Sequence, residues 1–522
     1  MSNAVSLPAA IAAQSRKTPD ATYLNVADTG ESVSYAEVDR QARAWAAAYA
    51  RAGLGPGDTA LTMLPPIPEA VAAWLGIAWL HALEVPINTG YRGRMLQYVI
   101  DDSQATTMLA HADYAPFILA DLPEDSRLTT LIVVGGDLPE GTDRVRVLSA
   151  DAFLADADPV DLTEPQAHEI SAIIYTSGTT GPSKGVMLPW AQVIATGEGI
   201  TPPALFGPED AFYSPFPMFH MSGKGPLCSM AGVGGRVVLK SRFDTKTFWS
   251  DIRTYGVTTT ILLGAMVQFL AGQDEHPDDA DSPLRDALML PLADPLPEFE
   301  QRFGLKARTT FNMTETSCQI ISDGYNLANT SSCGVLRPGF DARIVDEFDR
   351  EVPHGEIGEL VLRSDEPWTL MAGYWNKPEA TAAAWRNQWL HTGDAFRRDA
   401  EGNYYFVDRM KDAIRRRGEN ISSAEVEADV NSHPAVLESA AVAVPSDQSE
   451  DEVMVYVVTR PGHSVTATDL LDYLAERMAR FMVPRYVEFL DELPKTPTQK
   501  VQKAVLRTRG IGTETFDRTR PA

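Results

Sequence analysis

The stretch that decides the fold is Ile174-Tyr175-Thr176-Ser177-Gly178-Thr179-Thr180-Gly181-Pro182-Ser183-Lys184-Gly185-Val186. An apolar run, Ala172 to Tyr175, breaks into hydroxyl residues, glycines and a lysine. Glycine lets backbone N–H groups approach an anion closely. The hydroxyls of Thr176, Ser177, Thr179 and Thr180 add neutral donors, and Lys184 adds positive charge. These are the parts of a phosphate cradle, although the G-x-x-x-x-G-K-[ST] spacing of a Walker loop is absent. Alone, a Gly/Ser/Thr segment of this kind also reads as a polar hairpin turn.

Outward from this loop, helical and strand-like patterns alternate. Tyr35 to Ala52 carries apolar residues at helical spacing, whereas Thr59 to Leu64 and Thr129 to Val134 are short apolar runs closed by Pro or Gly. The rhythm recurs at Arg236 to Lys240 and Val257 to Leu263 and implies a layered α/β domain rich in parallel sheet. From Gly339 to Leu362 the pattern turns β-rich. Beyond Asp408 to Gly418 a further segment has its own pattern, with Ser422-Ser423-Ala424-Glu425 as an S-x-x-E helix start and strands over Ala440 to Val444 and Glu452 to Val458. The expected architecture is α/β: a large N-terminal domain of layered α/β subdomains with a β-rich part, and a small α+β C-terminal domain. The expected division is 1–408, a hinge at 409–412, and 413–522.

Composition narrows the partners. With 45 Lys plus Arg against 71 Asp plus Glu, the formal charge of the 522 residues is −26, which disfavours nucleic acid or an anionic membrane as a whole-surface partner. A small anion in a locally basic cleft remains compatible. The apolar run Ala70 to Leu83 is shorter than the ~20 residues a membrane helix needs and reads as a buried helix. Cys228, Cys318 and Cys333 form neither a disulfide framework nor a metal motif, which fits a reducing cytoplasm.

Five further motifs follow the glycine-rich loop: Pro217-Met218-Phe219-His220-Met221-Ser222-Gly223, Phe311-Asn312-Met313-Thr314-Glu315, His391-Thr392-Gly393-Asp394, Asp408-Arg409-Met410-Lys411-Asp412 to Asn420, and Pro494-Lys495-Thr496-Pro497-Thr498-Gln499-Lys500-Val501. In this order, they closely resemble the AMP-forming acyl-activating enzymes: acyl-CoA synthetases, luciferases and the adenylation domains of peptide synthetases. The resemblance runs from about Tyr35 to Arg507 and extends to the crotonobetaine/carnitine–CoA ligase branch, to which Phe219-His220-Met221 and Thr496-Pro497-Thr498-Gln499-Lys500 are similar. It implies joining a carboxylate to the α-phosphate of ATP, with loss of pyrophosphate, then transfer to coenzyme A.

The resemblance also implies roles. Thr176, Ser177, Gly178, Thr179, Thr180 and Lys184 would hold the β and γ phosphates. Glu315, with Thr176, would bind Mg²⁺, a hard cation suited to oxygen ligands. Thr314 would contact the α-phosphate, Phe311 would offer a ring face to adenine, and Asp394 would accept the ribose hydroxyls, assisted by Arg409. Lys500 would stabilise charge in the first half-reaction. The C-terminal domain would be mobile, turning about Lys411 to replace Lys500 with the face carrying Gly418, past which a pantetheine arm could run. His220 reads either as a gate beside the acyl carboxylate and thiol path or as a satisfied core histidine. Arg415-Arg416-Arg417 reads either as a clamp for CoA phosphates or as a solvated basic strand.

Three departures stand out. Asn312 replaces a common glycine, so that an amide would shrink the acyl pocket or bond a polar substrate. Ser423 stands where proline is frequent after the hinge loop. Lys224, directly after the His220 motif, lies where acyl tunnels are usually apolar. A buried lysine costs several kcal/mol without an anion, so Lys224 is expected to pair with a substrate anion or a protein carboxylate, unless its amine reaches solvent. The leading expectation is a cytoplasmic acid–CoA ligase, taking a medium-chain, aromatic or polar acid, with homodimerisation possible. Its rivals are an adenylating enzyme with another acceptor (a carrier protein or an amine), including one that adenylates nitrite for diazotisation of an aromatic amine, and a non-catalytic nucleotide-binding relative. Lys500→Ala should block adenylate formation yet leave thiolation of a supplied acyl-adenylate nearly intact; equal loss of both halves would contradict a rotating-domain account.

Overall fold

The computed structural model describes residues 4–519 except 124, 177–182, 294, 411–413, 417–418, 422, 446–450, 479–481 and 497–499; at 265, 415, 419, 420 and 425 it describes the backbone alone. Two mainly parallel sheets sandwich helices in the large N-terminal part. In the seven-stranded sheet, Lys306–Arg308, Asp286–Leu290, Thr259–Leu263, Ala211–Ser214, Arg236–Leu239 and Thr22–Val26 lie side by side, with Ser32–Ser34 closing one edge. In the eight-stranded sheet the order is Gly373–Tyr374, Lys184–Pro189, Ile170–Thr176, Leu83–Pro86, Thr59–Met63, Thr107–His111, Thr130–Val134 and Arg146–Ser149. The alternating pattern of the sequence thus gives the layered α/β class expected.

The helices between the sheets explain the long apolar run. Helix Pro68–Trp79 is buried along nearly its whole surface, as a helix apolar all round must be. It packs against Tyr35–Arg51, which Ser34 caps by accepting the N–H of Glu37. The approach is close at Gly76, where a Cβ would lie 2.6 Å from that of Trp45. Helices Trp190–Ile200 and Met221–Val233 form a second crossing pair, and Trp74 stacks on Trp190 with ring centroids 5.4 Å apart.

Lys224 lies inside this layer. Its side chain is fully buried, with Nζ 2.5 Å from Glu84 Oε2 and 3.6 Å from the Trp74 ring centroid. Thr62 donates to the other Glu84 oxygen at 2.8 Å. The partner is therefore a protein carboxylate, and the amine does not reach solvent. Burial raises the pKa of Glu84 and lowers that of Lys224, each held back by the other's charge. Glu84 belongs to the strand beside Ile170–Thr176, opposite Ala172, so the pair ties the helix that follows His220 to the sheet that feeds the glycine-rich loop.

The β-rich part is a seven-stranded antiparallel sheet running from Thr310–Phe311 to Phe340–Val345 in strand order, with Leu390–Arg398 and Asn403–Arg409 paired within it. The small C-terminal part contains a four-stranded sheet: Val436–Pro445, Asp451–Thr459, Tyr486–Phe489 and Phe516–Asp517. Alternate residues of its second strand face two cores: Val453, Val455 and Val457 meet helices Ser423–Asn431 and Ala467–Ala475, while Met454, Tyr456 and Val458 meet Leu506. Burial on both faces explains the continuous apolar run there.

Arg416 is neither a solvated strand residue nor a ready phosphate clamp. It is buried, 2.6 Å from Glu452, and it donates to the Val483 carbonyl. Arg417 lies outside the described residues, as does the side chain of Arg415. For the Glu84–Lys224 pair, Lys224→Ala is expected to lower stability by about 3–5 kcal/mol, because one buried charge loses its partner. The double variant Glu84→Gln/Lys224→Met should recover most of that. Urea unfolding tests both, and a single-variant loss below about 1 kcal/mol would mean that Glu84 is compensated otherwise.

Candidate active site

The glycine-rich segment joins two paired antiparallel strands, Ile170–Thr176 and Lys184–Pro189, with Thr176 opposite Lys184. The hairpin reading of the sequence is correct for the stem. Ser177, Gly178, Thr179 and Thr180 lie outside the described residues. Thr176 Oγ1 donates to the Lys184 carbonyl at 3.4 Å. Around the stem, Tyr175 donates to Asp102 at 2.6 Å, and Tyr98 donates to the Ser183 carbonyl at 3.0 Å.

The Phe311 to Glu315 segment reaches the same cleft and is held from two sides. Buried Gln192 donates to the carbonyls of Thr314 and Thr316, both at 2.8 Å, and the Met371 N–H donates to the Glu315 carbonyl. Asn312 Oδ1 accepts the Cys318 N–H at 2.9 Å and the Thr316 hydroxyl at 3.1 Å. The backbone donor orients the amide, so its carbonyl end staples this turn. Tyr374 donates to Glu315 Oε1 at 3.0 Å, and its ring lies under Lys184, with Nζ 4.6 Å from the centroid. Tyr374 stands beside Val186 in the neighbouring strand. One tyrosine therefore touches both the loop lysine and the motif carboxylate.

Half-buried Phe311 meets Phe396 edge-on, with centroids 4.8 Å apart, and lies nearly parallel to Phe406 at 6.5 Å. Phe406, Tyr374 and Gln192 were not singled out by sequence. The only local signal was Phe406 three positions before Arg409; the other two are distant in the chain.

Asp394 stands opposite Arg409 across the antiparallel pair. The preceding turn uses Gly393 at φ +71, a left-handed conformation that favours glycine. Glu359 accepts the Gly393 N–H at 3.0 Å, while its other oxygen lies 2.9 Å from His391 Nδ1. Arg409 Nε is 2.9 Å from Asp394 Oδ1, but this buried oxygen makes no aligned hydrogen bond. The Arg409 guanidinium thus meets this oxygen as an ion pair. Burial raises the Asp394 pKa to about 7; Arg409 and Lys500 oppose the rise, and Glu315 and Asp408 add to it.

His220 caps helix Met221–Val233. Its Nδ1 accepts the Ser222 N–H at 3.2 Å, so the neutral ring carries its proton on Nε2. Burial, then the charge of Lys500, lowers its pKa to about 4. Lys500 arrives from the C-terminal part, where the Thr496 N–H donates to its carbonyl and its own N–H donates to Thr496 Oγ1. The Lys500 side chain is exposed by area, yet lost hydration at the cleft lowers its pKa, as does Arg409, while Asp394 and Glu315 oppose the shift. Lys411 and Gly418 lie outside the described residues.

Among the described residues, no three His, Cys, Asp or Glu side chains gather into a metal cage. Glu315 Oε2 accepts no hydrogen bond from a described residue. One carboxylate at a phosphate loop suits Mg²⁺, which is commonly held by one or two carboxylates together with substrate phosphates.

A parallel layered body, a glycine-rich hairpin stem beside the Glu315 carboxylate and a small C-terminal part of its own fold are the frame of an adenylate-forming class of protein. Residues 11–375 match the AMP-binding enzyme family, and residues 425–500 match the AMP-binding enzyme C-terminal domain. The chain belongs to the AMP-binding enzyme family. It is 31% identical over 486 residues to a crotonobetaine/carnitine–CoA ligase of Salmonella arizonae, covering 91% of this chain and 93% of that one. It is also 31% identical to a sulfoacetate–CoA ligase of Cupriavidus necator, covering 96% and 97%. The O-succinylbenzoate coenzyme A synthetase of Bacillus subtilis, solved with ATP and magnesium ion, superposes with a TM-score of 0.82 at 25% identity, covering 96% and 98%.

Asp394 has a consequence for stability. Its folded pKa, about 7, exceeds its ordinary value of 3.8, so the native state binds the extra proton. Its effect on stability is therefore unfavourable as pH rises from about 4 to 7, and fully expressed above 7. Asp394→Asn should stabilise the ligand-free protein at pH 8 by about 1–3 kcal/mol and flatten this part of the pH profile. Thermal or urea unfolding across pH 4–8 measures it; a variant less stable than the parent at pH 8 would contradict the assignment.

Proposed function

We infer that this protein is an ATP-dependent, AMP-forming acid–CoA ligase acting on a small polar, aromatic or medium-chain carboxylic acid in the cytoplasm. The observation that carries the reading is the contact of one tyrosine, Tyr374, with both Lys184 of the glycine-rich hairpin and the Glu315 carboxylate, with the Asp394–Arg409 pair at 2.9 Å supporting it. The similarity to ligases for crotonobetaine or carnitine and for sulfoacetate supports a polar acid. The cysteines are unpaired, which fits a reducing compartment. Among the described residues, no helix is long and apolar enough to cross a membrane.

In the first half-reaction, a carboxylate oxygen of the substrate bonds to the α-phosphorus of ATP, and the bond to pyrophosphate breaks. Both reactants are anions, so positioned cations and donors must offset their repulsion. Lys184 and Thr176, with the loop between them, hold the distal phosphates. Asp394, paired with Arg409, accepts the ribose hydroxyls, and Phe311 with Phe406 offers ring faces to the base. Glu315, kept in place by Tyr374, and Thr176 would hold Mg²⁺. When bound, that ion would neutralise phosphate charge. Lys500 stabilises charge developing at the α-phosphate. His220, neutral near pH 7, presents an Nε2–H donor to the acyl carboxylate and acts as a gate more than a base.

In the second half-reaction the part beyond 409–412 turns about Lys411. Lys500 leaves, and Gly418 faces the pantetheine path. The thiol sulfur bonds to the acyl carbon, the acyl–oxygen bond breaks, and AMP departs. The division into 1–408, hinge 409–412 and 413–522 follows this motion.

The test incubates the protein with ATP, Mg²⁺ and a panel of small polar, aromatic and medium-chain acids, with and without CoA. Pyrophosphate, AMP and products are measured by mass. Formation of AMP together with a CoA thioester is expected for at least one acid. Absence of AMP with every acid removes the ligase reading, and AMP without a thioester removes CoA as the acceptor.

A further inference from the structure

Asp408, at the end of strand Asn403–Arg409, makes a contact that none of the site chemistry uses. Its Oδ2 accepts both the N–H and the hydroxyl of Ser423, each at 2.6 Å. Both side chains are buried. Ser423 opens helix Ser423–Asn431 of the C-terminal part, so Asp408 caps a helix from across the expected hinge. The network continues: Lys503 donates to Ser423 Oγ at 2.5 Å and pairs with Glu427 at 2.8 Å, and Glu427 accepts the Ala441 N–H at 2.7 Å. Lys503 begins helix Lys503–Arg509, three residues after Lys500.

Of this network, Asp408 alone precedes the hinge; Ser423, Glu427, Ala441 and Lys503 follow it. Turning about Lys411 would carry them away from Asp408. Charge-assisted hydrogen bonds as short as these are about twice as strong as neutral ones, and their loss inside a buried contact is costly. The contact depends on a departure noted in the sequence: a proline at 423 would supply neither the N–H nor the hydroxyl.

We propose that Asp408 and Ser423 form a latch that holds the C-terminal part in the adenylate-forming pose, making them positioning residues that act through Lys500. The proposal rests on the two-step reading above. The latch must open before thiol transfer, so it favours the first half-reaction at the expense of the second. Asp408 also raises the pKa of Asp394 through charge. Ser423→Pro leaves that charge in place and is the discriminating variant, with Asp408→Asn and Ser423→Ala beside it.

The test places one dye on the large body and one on helix Ala467–Ala475, and reads energy transfer with ATP and Mg²⁺ present. Ser423→Pro and Asp408→Asn are expected to depopulate the parent's conformation by about tenfold or more relative to its alternative, with Ser423→Ala between them and the parent. With an accepted acid, pyrophosphate release should fall in the same order, while thiolation of a supplied acyl-adenylate holds or rises. Unchanged energy transfer in both strong variants would overturn the latch, as would parallel loss of both half-reactions with the melting temperature. Because the dye measurement needs no acid, a failed acid panel would remove the ligase reading and still leave the latch decided.

Discussion

The buried pair of Glu84 and Lys224 fixes the two halves of the large body to each other. Glu84 sits on the strand beside the stem of the glycine-rich hairpin, and Lys224 lies one helical turn beyond His220. Holding the two at 2.5 Å sets the distance between the stem of the glycine-rich hairpin and His220. A pair so deeply buried adds little net stability compared with apolar packing, but it tolerates few alternative arrangements. The Trp74 ring beside the ammonium and the Thr62 hydroxyl on the carboxylate satisfy what the pair leaves over. We see the pair as a register pin for the sheets more than as a source of stability.

Charge in the cleft is arranged against the character of the whole molecule. The chain carries a formal charge of −26, yet its proposed substrates are polyanions. Lys184, Arg409 and Lys500 answer this locally, and two come with a cost already built in. Arg409 faces a carboxylate that burial pushes toward its neutral form, and Lys500 loses hydration at the cleft.

Local structure was legible in the sequence where neighbours in the chain act together. The hairpin stem, the Phe311 to Glu315 turn, the glycine at 393 and the apolar helix near Ala70 were all legible, because local periodicity, turn chemistry and motif spacing act over a few residues. The reading of Lys224 was legible as a question only: it demanded an anion and could not say which. The reading of Arg415 to Arg417 missed that Arg416 is consumed by Glu452 inside the C-terminal core. Asn312 was read as shrinking the acyl pocket or bonding a polar substrate, and the structure adds that its carbonyl closes the turn that ends at Cys318.

By itself, then, the sequence determined the layered architecture and the order of the motifs, since each is written in contiguous segments. Only the tertiary structure decided which groups meet: Glu84 with Lys224, Tyr374 with Glu315 and Lys184, and Asp408 with Ser423. The physical reason is separation along the chain. A buried ion takes the partner that topology brings within about 4 Å, and no local pattern of residues encodes that encounter.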